Sequence, residues 1–394
     1  MRNVVIVAAA RTPIGTIGGQ FKTLTSLDLS IPVMQGLVER AGINPEIIED
    51  VIWGCNYQRT YKENNLARVA AVKAGLPVTV PGITIHRNCT SSMSSIQFGF
   101  YQIMAGEAEC IMAGGADSMS TAPHMVFDAR YGKKYGHMEM RDSMWDSLTN
   151  LGVGPAMGIT AENVADEYNV TREEMDAYSL RSQQRAVAAI DAGKFKDEIV
   201  PVVIHNKKKG DIVIDTDEHP IRNCSYETIS KMKAVFTPDG VTTAANASGI
   251  NDAAAAVIVM SADKAKELGI KPMAKMINMC SAGVEPKYMG IGPAYAIPKC
   301  LKGAGMDFSE VDYWEINEAF AAQFLGVGRK LKEEHGWEVD LDKTNANGSG
   351  ISLGHPIGCT GLRIIVSMLY EMERRGATVG GGPAMASLWT KKMD

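Results

Sequence analysis

The sequence lacks the features that mark membrane proteins, disulfide-rich secreted proteins and nucleic-acid-binding proteins. No segment approaches the roughly 18 consecutive apolar residues of a membrane-spanning helix, and the apolar start of the chain is too short for a signal peptide. The seven cysteines are odd in number and form no C-x-x-C pair, so neither a disulfide framework nor a zinc site is expected. A formal net charge of −5 excludes a global attraction to nucleic acid or anionic lipid. These absences predict a cytoplasmic protein without a metal site.

The rest of the composition is that of an ordinary globular protein, with 45% hydrophobic and 22% charged residues. Apolar runs of strand length alternate with amphipathic segments of helix length along most of the chain. The first of these are a strand at 3–8 followed by a helix at 27–41, and a strand at 51–53 followed by a helix at 65–74. This alternation predicts an α/β fold in which helices cover a sheet.

The segment 118–241 interrupts this alternation. Its first part is rich in Met, Gly, His and Tyr and shows no clear periodicity, which is unusual for a plain loop of that length. A helix with a capping box follows at 171–192. We therefore expect a loop domain at 118–241, inserted between an N-terminal half that comprises 1–117 and 242–270 and a C-terminal half at 271–394.

A cysteine marks the start of a predicted helix in the segment 84–106. A short β-prone run ends at Cys89, and apolar residues then recur at spacings of three and four, which predicts an amphipathic helix. At a helix N-terminus, unpaired N–H groups and the helix dipole favour a thiolate, so we expect a lowered pKa for the Cys89 thiol. A thiolate is a nucleophile. The alternative is that Cys89 is a small buried apolar residue, as most free cysteines are.

The chain carries an internal repeat. Two segments of its first part match segments of its last part. The matched pairs are 41–56 with 304–317, and 104–119 with 372–385. In this register the helix after Cys89 corresponds to a helix at 361–375, and the turn before that helix contains His355. A duplicated α/β body would therefore place Cys89 and His355 at equivalent helix N-termini that face each other.

Seven short motifs carry a resemblance that runs along the whole chain. They are AARTPIG (9–15), NCTSS (88–92), MGITAENVA (157–165), NASGIND (246–252), NEAFAAQ (317–323), GHPIGCTG (354–361) and GGG (380–382). In these motifs the sequence resembles the thiolases, the family of acetyl-CoA acetyltransferase and 3-ketoacyl-CoA thiolase. The resemblance implies two βαβαβ halves stacked as five layers, in the order αβαβα, with a loop domain inserted in the first half.

The resemblance also implies roles for individual residues. Cys89 would be the nucleophile that takes the acyl group from a thioester, and His355 would activate it and then direct a ring N–H to the thioester oxygen. Asn317 would hold a water that completes this oxyanion site, and the backbone N–H groups of Cys89 and Gly380 would form a second one. Simpler interpretations exist, since His355 could be a turn histidine and Asn317 a helix cap.

Coenzyme A and acyl-CoA are the substrates that the resemblance implies, with no permanently bound cofactor. Residues at the matching positions would surround the pantetheine with mostly apolar walls. They are Leu148, Met157, Phe236, Ser248, Met289 and Phe320. Arg222 lies one place from the family's usual phosphate-binding arginine, and Lys207, Lys208 and Lys209 could also serve. The alternative for the lysines is a charged hairpin tip that is simply solvated.

Two positions depart from the family pattern. Family members usually carry a second cysteine two residues before the glycine run, where it moves a proton at the α-carbon of the second acyl-CoA. Here that position is Thr378, whose hydroxyl is too weak an acid, and the segment between His355 and Thr378 is shorter than usual. The position before Met157, commonly histidine in short-chain biosynthetic members, is Ala156. These departures predict slow or redirected condensation chemistry.

The leading hypothesis is a thiolase-type acyl-CoA acyltransferase that forms a thioester on Cys89 and condenses or cleaves a short-chain 3-ketoacyl-CoA. One alternative is a thiolase-like enzyme that uses Cys89, His355 and Asn317 on a decarboxylating or non-CoA acceptor, because decarboxylation yields a carbanion without a second cysteine. Another is a catalytically impaired partner subunit. The Met- and Tyr-rich segment 118–144 matches the region where family tetramers join, so we expect a homodimer or homotetramer.

Overall fold

The computed structural model describes residues 2–58, 61–205, 208, 210–383 and 385–393. Its strands, numbered β1 to β14 in chain order, are Val4–Arg11, Gly15–Thr16, Asp50–Gly54, Gly82–Ile85, Cys110–Ser118, His124–Met125, Arg141–Asp142, Val202–Ile204, Ile212–Ile214, Asn251–Ser261, Ala274–Cys280, Tyr313–Trp314, Val379–Pro383 and Ala386–Thr390. Its α-helices, numbered α1 to α12, are Ser26–Ala41, Leu66–Ala74, Ser91–Ala105, Ser143–Thr149, Met157–Glu167, Arg172–Asp191, Tyr226–Ser230, Ala262–Glu267, Gly292–Ala304, Ala321–His335, Gly350–Leu353 and Ile357–Arg375.

One sheet runs through the molecule in the strand order β12-β13-β14-β11-β1-β10-β5-β3-β4, with β2 beside β10. The two halves of this order repeat the same pairing. In the first half β3 and β5 are parallel and β10 is antiparallel to both β5 and β1. In the second half β12 and β13 are parallel and β14 is antiparallel to both β13 and β11. The halves join where β1 pairs with β11, so the internal repeat predicted from the sequence is confirmed.

Two central helices, α3 and α12, lie between the halves and contact each other. Every residue of α12 from 357 to 369 is buried, as expected for a helix that is covered on all sides. Ser92 of α3 donates to the Cys359 carbonyl and accepts the Leu362 N–H, both at 3.0 Å. A Cβ atom on Gly361 would come 2.8 Å from the Cβ of Met93, so a glycine is needed where the helices cross. With α1 and α2 on one outer face and α9 and α10 on the other, the layer order is αβαβα, as the resemblance implied.

Local signals in the sequence explain most helix ends. The predicted helix 27–41 is α1, which begins with a capping box between Thr25 and Asp28 and ends at Gly42 with a left-handed φ of 60°. The central helix α12 begins four residues earlier than the predicted 361, because Pro356 precedes it and no polar residue marks the boundary.

The segment between β5 and β10 holds the short strands β6 to β9 and the helices α4 to α7. The hairpin β8–β9 is part of it, and residues 206, 207 and 209 at its tip lie outside the described residues. Within the described part of the chain, no helix has the length and apolar character to cross a membrane. The same residues contain no group of three or more His, Cys, Asp and Glu side chains that could hold a metal ion.

Candidate active site

Cys89 and His355 lie opposite each other at the N-termini of the two central helices. The 3₁₀ turn Asn88–Thr90 leads into α3, and Asn88 has a left-handed backbone with a φ of 46°. Gly354, with a φ of 102°, precedes His355 just before α12 begins. His355 Nε2 lies 3.1 Å from Cys89 Sγ. The structure therefore brings the two residues that the sequence singled out within hydrogen-bonding distance.

Two buried side chains fix the turn that carries His355. Asn251 Oδ1 accepts the main-chain N–H of His355 at 2.9 Å, and Asn251 Nδ2 donates to the Gly15 carbonyl at 3.0 Å. The Asp117 carboxylate accepts the N–H of Gly358 at 2.6 Å in the first turn of α12, where the helix dipole favours a negative charge. Both side chains come from strands of the N-terminal half. Sequence reasoning did not single out Asp117. Asn251 was quoted only as part of the motif NASGIND (246–252), and that motif was the signal that could have identified it.

The resting pair is a neutral thiol and a neutral imidazole. Burial raises the pKa of the Cys89 thiol to about 12, and the charge of Asp117 adds to this rise. Burial and the charge of Arg363 lower the pKa of His355 to about 3. The prediction that the helix N-terminus lowers the pKa of Cys89 is therefore wrong for the free protein, because the loss of hydration outweighs the helix dipole.

Asn317 follows β12, and its side chain is buried. Its Oδ1 has no hydrogen-bond partner among the described residues and lies close to Gly350 of α11, on the segment that leads to His355. A buried amide oxygen of this kind is usually satisfied by a water molecule. The next residue, Glu318, accepts hydrogen bonds from the hydroxyls of Tyr178 at 2.7 Å and Ser182 at 2.6 Å, which fix the segment. Sequence reasoning did not single out Glu318, although it lies in a quoted motif.

Gly380 lies away from Cys89. It is part of β13, where a Cβ atom on it would come 2.3 Å from the Sδ of Met372. At 1.5 Å per residue, Met372 is roughly 22 Å along α12 from the first turn of that helix. The prediction that the Gly380 N–H forms an oxyanion site together with Cys89 is therefore wrong.

Thr378 is also distant from the active site. It precedes β13, which runs parallel to β12 toward Asn317, so Thr378 is at the end of the strand that is remote from the site. Its N–H donates to Asp312 at 2.8 Å, and its carbonyl accepts the N–H of Lys391 at 2.9 Å. The prediction that Thr378 occupies the place of the second cysteine is wrong.

The repeat shows why the glycine run misled the sequence comparison. Gly381 in β13 packs on Trp314 of β12 as Gly114 in β5 packs on Trp53 of β3, and in each half a Cβ on the glycine would come 2.1 Å from the indole ring. The glycine run is therefore the counterpart of the small-residue strand β5, and it does not form an active-site loop. The chain then turns directly into β14, and Met385 at that turn contacts α3 at 3.3 Å.

An apolar cluster packs against the partly buried side chain of Cys89. Its buried members are Tyr57, Met119 and Ile357, and Met144, Leu148, Ile250 and Cys89 itself pack against them. The Tyr57 hydroxyl is hydrogen-bonded to Ser147 Oγ at 2.7 Å, which ties the inserted segment to this cluster. Leu148, expected along the pantetheine, thus packs against the same cluster as Cys89. Sequence reasoning did not single out the other members, because they lie far apart in the chain and meet only in the fold, although Ile250 and Ile357 lie in quoted motifs.

Most of the residues expected to bind coenzyme A lie near one another. The rings of Phe236 and Phe320 meet edge to face with centroids 6.2 Å apart. The main-chain N–H of Ser248 donates a hydrogen bond to the carbonyl of Ala319, the residue before Phe320, at 2.9 Å. Met157 begins α5, which packs against the turn Pro286–Ile291 that contains Met289.

The cations expected at the phosphates are on the surface. Arg222 is paired with Asp191 at 2.7 Å, and both side chains are more than half exposed. Lys208 is exposed, whereas Lys207 and Lys209 lie outside the described residues.

Comparison with known families identifies both halves of the chain. Residues 4–263 match the family model described as thiolase, N-terminal domain, and residues 270–387 match thiolase, C-terminal domain. The chain is 48% identical over 382 residues to an acetyl-CoA acetyltransferase of Syntrophomonas wolfei, with 96% of this chain and 95% of that protein covered. It is 44% identical over 398 residues to a probable acetyl-CoA acyltransferase of Staphylococcus aureus, with 99% and 100% covered.

Solved structures give the same result. The Syntrophomonas wolfei acetyl-CoA acetyltransferase superimposes with a TM-score of 0.96 over the full length of both chains. The human mitochondrial 3-ketoacyl-CoA thiolase in complex with CoA superimposes with a TM-score of 0.93 at 40% identity, covering 99% of this chain and 98% of that one. The chain therefore belongs to the thiolase family.

Proposed function

We propose that this thiolase-type acyl-CoA acyltransferase carries the acyl group as a thioester on Cys89, with His355 as its general base and acid. The 3.1 Å contact between Cys89 Sγ and His355 Nε2 is the observation that supports this assignment. The Cys89 proton passes to Nε2 while the sulfur attacks the thioester carbon of acyl-CoA. The bond from that carbon to the CoA sulfur then breaks, and the leaving thiolate takes the proton from His355.

Asn317 completes the oxyanion site of this proposal. Its buried Oδ1, for which the described part of the chain offers no partner, is suited to hold a water, and a water held there can donate its hydrogen to the thioester oxygen. Since Glu318 anchors the same segment through two hydroxyl donors, the position of Asn317 is fixed before the substrate binds. Removing one pre-positioned donor of this kind by mutation typically lowers kcat by about 10²–10³-fold.

Transfer to a thiol is the reaction that this site supports best. Thiol exchange requires only the steps at Cys89 and His355, run in the forward and reverse directions. Condensation or cleavage of a short-chain 3-ketoacyl-CoA also requires a proton to move at an α-carbon, and Thr378 is too remote to move it. We therefore propose rapid acyl exchange between CoA thioesters and thiols, with slow carbon–carbon chemistry.

A second candidate function uses a decarboxylating acceptor. A malonyl thioester generates its carbanion by losing carbon dioxide, so no base is needed at its α-carbon. The displaced position of Thr378 favours this candidate over a proton-abstracting condensation. In both candidates the acyl group is first bound to Cys89.

Intact-mass spectrometry after incubation with acetyl-CoA tests the shared first step. We expect one acetyl group on the wild type and none on Cys89→Ala, while Cys359→Ala, which removes a buried thiol outside the pair, keeps the label. A label that persists in Cys89→Ala would show that the nucleophile has been assigned wrongly. Product analysis with malonyl-CoA and with acetyl-CoA as acceptors then separates the two candidates.

For coenzyme A, we propose that the apolar residues near Phe236 and Phe320 line the pantetheine and that Arg222 exchanges Asp191 for a phosphate. Arg222 is exposed and already paired with a carboxylate, so this exchange costs little desolvation. We expect Arg222→Ala to raise KM about tenfold for acetyl-CoA and to leave it unchanged for acetyl-pantetheine, which has no nucleotide. Equal effects on both substrates would contradict the phosphate role.

A homo-oligomer, either a dimer or a tetramer, is the assembly that we propose. The strand β4 lies at the edge of the sheet, with no strand paired to its outer side in the described chain. In the inserted segment, Tyr131 and Tyr135 are each 94% exposed, and Trp145 is 63% exposed. Exposed aromatic groups of this kind mark interaction surfaces. Light scattering at micromolar concentration tests the proposal, and a monomer would contradict it.

We also propose that the protein works in the cytoplasm. All seven cysteines are free in the structure, and the proposed reaction requires a reduced thiol at Cys89. Cell fractionation with an antibody against the chain tests this location.

A further inference from the structure

Thr360 is the third member of a hydrogen-bonded chain that begins at Cys89. His355 Nε2 lies 3.1 Å from Cys89 Sγ, and the other ring nitrogen, Nδ1, lies 2.7 Å from Thr360 Oγ1. The Thr360 hydroxyl lies 2.9 Å from the carbonyl oxygen of Pro356, one helical turn earlier in the chain. Thr360 is fully buried and His355 is only 7% exposed, so bulk water does not compete for these contacts.

The single hydroxyl hydrogen of Thr360 decides the direction of this chain. The Pro356 carbonyl can only accept, so the Thr360 hydroxyl donates its hydrogen to that oxygen. Its lone pairs then face His355 Nδ1, which has to carry a hydrogen in order to donate to them. In a neutral imidazole the second nitrogen, Nε2, then carries a lone pair.

The thiol side of the chain requires the same arrangement. Burial keeps Cys89 protonated in the free protein, so its S–H points to Nε2, which has to accept it. Two separate partners, a hydroxyl on one side of the ring and a thiol on the other, thus select the same tautomer of His355. A ring with its hydrogen on Nε2 would face the S–H of Cys89 with another donor and could not take up its proton.

We infer that Thr360 is a positioning residue that holds His355 as the Nδ1–H tautomer, so that Nε2 is always available for the proton of Cys89. The inference rests on the proposed role of His355 as the base. When the proton has moved, the imidazolium still donates from Nδ1 to Thr360 Oγ1, and a hydrogen bond to a charged donor is stronger than one to a neutral donor. Thr360 therefore favours both the starting tautomer and the charged ring that follows.

The charged groups around the ring do not replace this contact. Arg363, on the same helix, is a cation and favours the neutral ring. The Asp117 carboxylate, on β5, is engaged by main-chain N–H groups, including that of Gly358. Asn251 binds the main chain of His355 and leaves the ring free to rotate. Among the described residues, Thr360 is therefore the side chain that directs Nδ1.

Thr360→Val tests the inference, because valine keeps the shape of threonine and removes the hydroxyl. We expect single-turnover acylation by saturating acetyl-CoA to slow about 10- to 100-fold, since a buried N–H loses its acceptor, with little change in the KM for acetyl-CoA. The rate of Cys89 alkylation by iodoacetamide should shift to higher pH, because the imidazolium that balances the thiolate loses a partner. Thr360→Ser restores a hydroxyl and should restore both measurements to within about threefold.

Ser30→Ala is the matched control. Ser30 is also fully buried, and its hydroxyl also donates to a carbonyl one turn earlier, in α1, at 2.7 Å. It should lower the thermal stability by a similar amount and leave acylation and the alkylation profile unchanged. Thr360→Val with a lowered melting temperature but wild-type acylation would overturn the inference, and so would a folded Thr360→Ser that is as slow as Thr360→Val.

Three variants, Thr360→Ala, Cys89→Ala and His355→Ala, keep the inference falsifiable and separate it from the proposed function. If Thr360→Val does not fold, Thr360→Ala, which leaves a small cavity, is measured in the same way and has to show the same loss and the same pH shift. A label that persists in Cys89→Ala contradicts the proposed function itself. A label that is lost in Cys89→Ala and in His355→Ala, but forms at the normal rate in Thr360→Val, contradicts only the role of Thr360.

Discussion

The acyl group that we propose on Cys89 should be limited in length by two methionines. Met119 is 3% exposed, and it and Met144 belong to the apolar cluster that packs on the Cys89 side chain. A thioester on Cys89 would project its acyl chain into this cluster. Met119→Ala removes the three heavy atoms at the end of the side chain, which is about the space of three methylene groups. We therefore expect this variant to accept pentanoyl-CoA far better than the wild type does.

The size of the effect follows from the burial of those methylenes. Each buried CH₂ contributes about 0.8 kcal/mol, so three contribute about 2.4 kcal/mol. This corresponds to an increase of up to about 60-fold in the ratio of kcat/KM for pentanoyl-CoA to that for acetyl-CoA. Acylation is measured by release of free CoA, with both substrates and under identical conditions. The acetyl-CoA value itself should change by less than about threefold.

Stability has to be followed in the same experiment. Truncating a buried methionine costs about 2–5 kcal/mol of unfolding free energy, so a thermal melt shows whether Met119→Ala is folded at the assay temperature. Met144→Ala, at a half-buried position of the same cluster, is the less costly variant. Met140→Ala is the control, because Met140 is 68% exposed and lies outside the cluster. If both cluster variants are folded and keep the wild-type ratio, the acyl chain does not enter this cluster and the reasoning is refuted.

Three further predictions concern the second half-reaction, the packing of the central helices and the pH dependence of stability. Thr378→Cys should leave acetoacetyl-CoA cleavage unchanged, because this position is remote from Cys89; a clear rise in the rate would contradict the observed strand register. Gly361→Ala should slow acylation at least tenfold by forcing the added methyl against Met93 and separating α3 from α12, and wild-type acylation by a folded variant would show that the contact can relax. Burial raises the pKa of Glu315 to about 8, above the roughly 4.3 of a glutamate in an unfolded chain. The contribution of Glu315 to the free energy of unfolding is therefore complete below about pH 4.3 and is lost as the pH rises through about 8. Between these two pH values, Glu315→Gln should reduce the change with pH of the unfolding free energy measured in urea. If that change is the same in the variant and the wild type, other groups cause it.

The pairing of Cys89 with His355 could be predicted because two sequence signals agreed. The motifs gave the residue types, and the internal repeat gave the geometry, since equivalent helices in a duplicated fold begin at equivalent places. Neither signal alone is sufficient. A cysteine at a helix N-terminus is common, and a histidine before a proline is a common turn residue.

The charge state of this pair could not be predicted from the same signals. The helix N-terminus is a local feature that the sequence shows directly, whereas burial of the Cys89 thiol depends on residues that meet only in the folded chain. Met119, Ile250 and Ile357 come from separate parts of the chain and belong to the apolar cluster against which Cys89 packs. Desolvation is the larger effect here, so a prediction from local sequence gave the wrong direction.

The position of the glycine run was predicted wrongly although the sequence contained the correct answer. Matching three glycines to a family loop placed Gly380 and Thr378 at the active site. The repeat instead paired 372–385 with 104–119, which aligns the run with the strand β5, and the structure follows that register. In both halves a glycine is required because a tryptophan of the neighbouring strand lies flat against it. The glycine–tryptophan contact, which occurs in both halves of this chain, therefore predicted the position of the glycine run better than the match of a short motif to other family members.

The duplicated fold also explains why Cys89, the nucleophile that we propose, and His355, the base that we propose, belong to different halves. The helices α3 and α12 pack on each other, and Ser92 links them through hydrogen bonds to Cys359 and Leu362 at 3.0 Å. Ser92 lies within about one turn of Cys89, and Cys359 and Leu362 lie about one and two turns from His355, so the packing of the helices sets the 3.1 Å separation of sulfur and nitrogen. A rigid contact between two buried helices holds that distance more closely than two surface loops could. Burial also raises the pKa of the Cys89 thiol to about 12, so the thiol is neutral in the free protein.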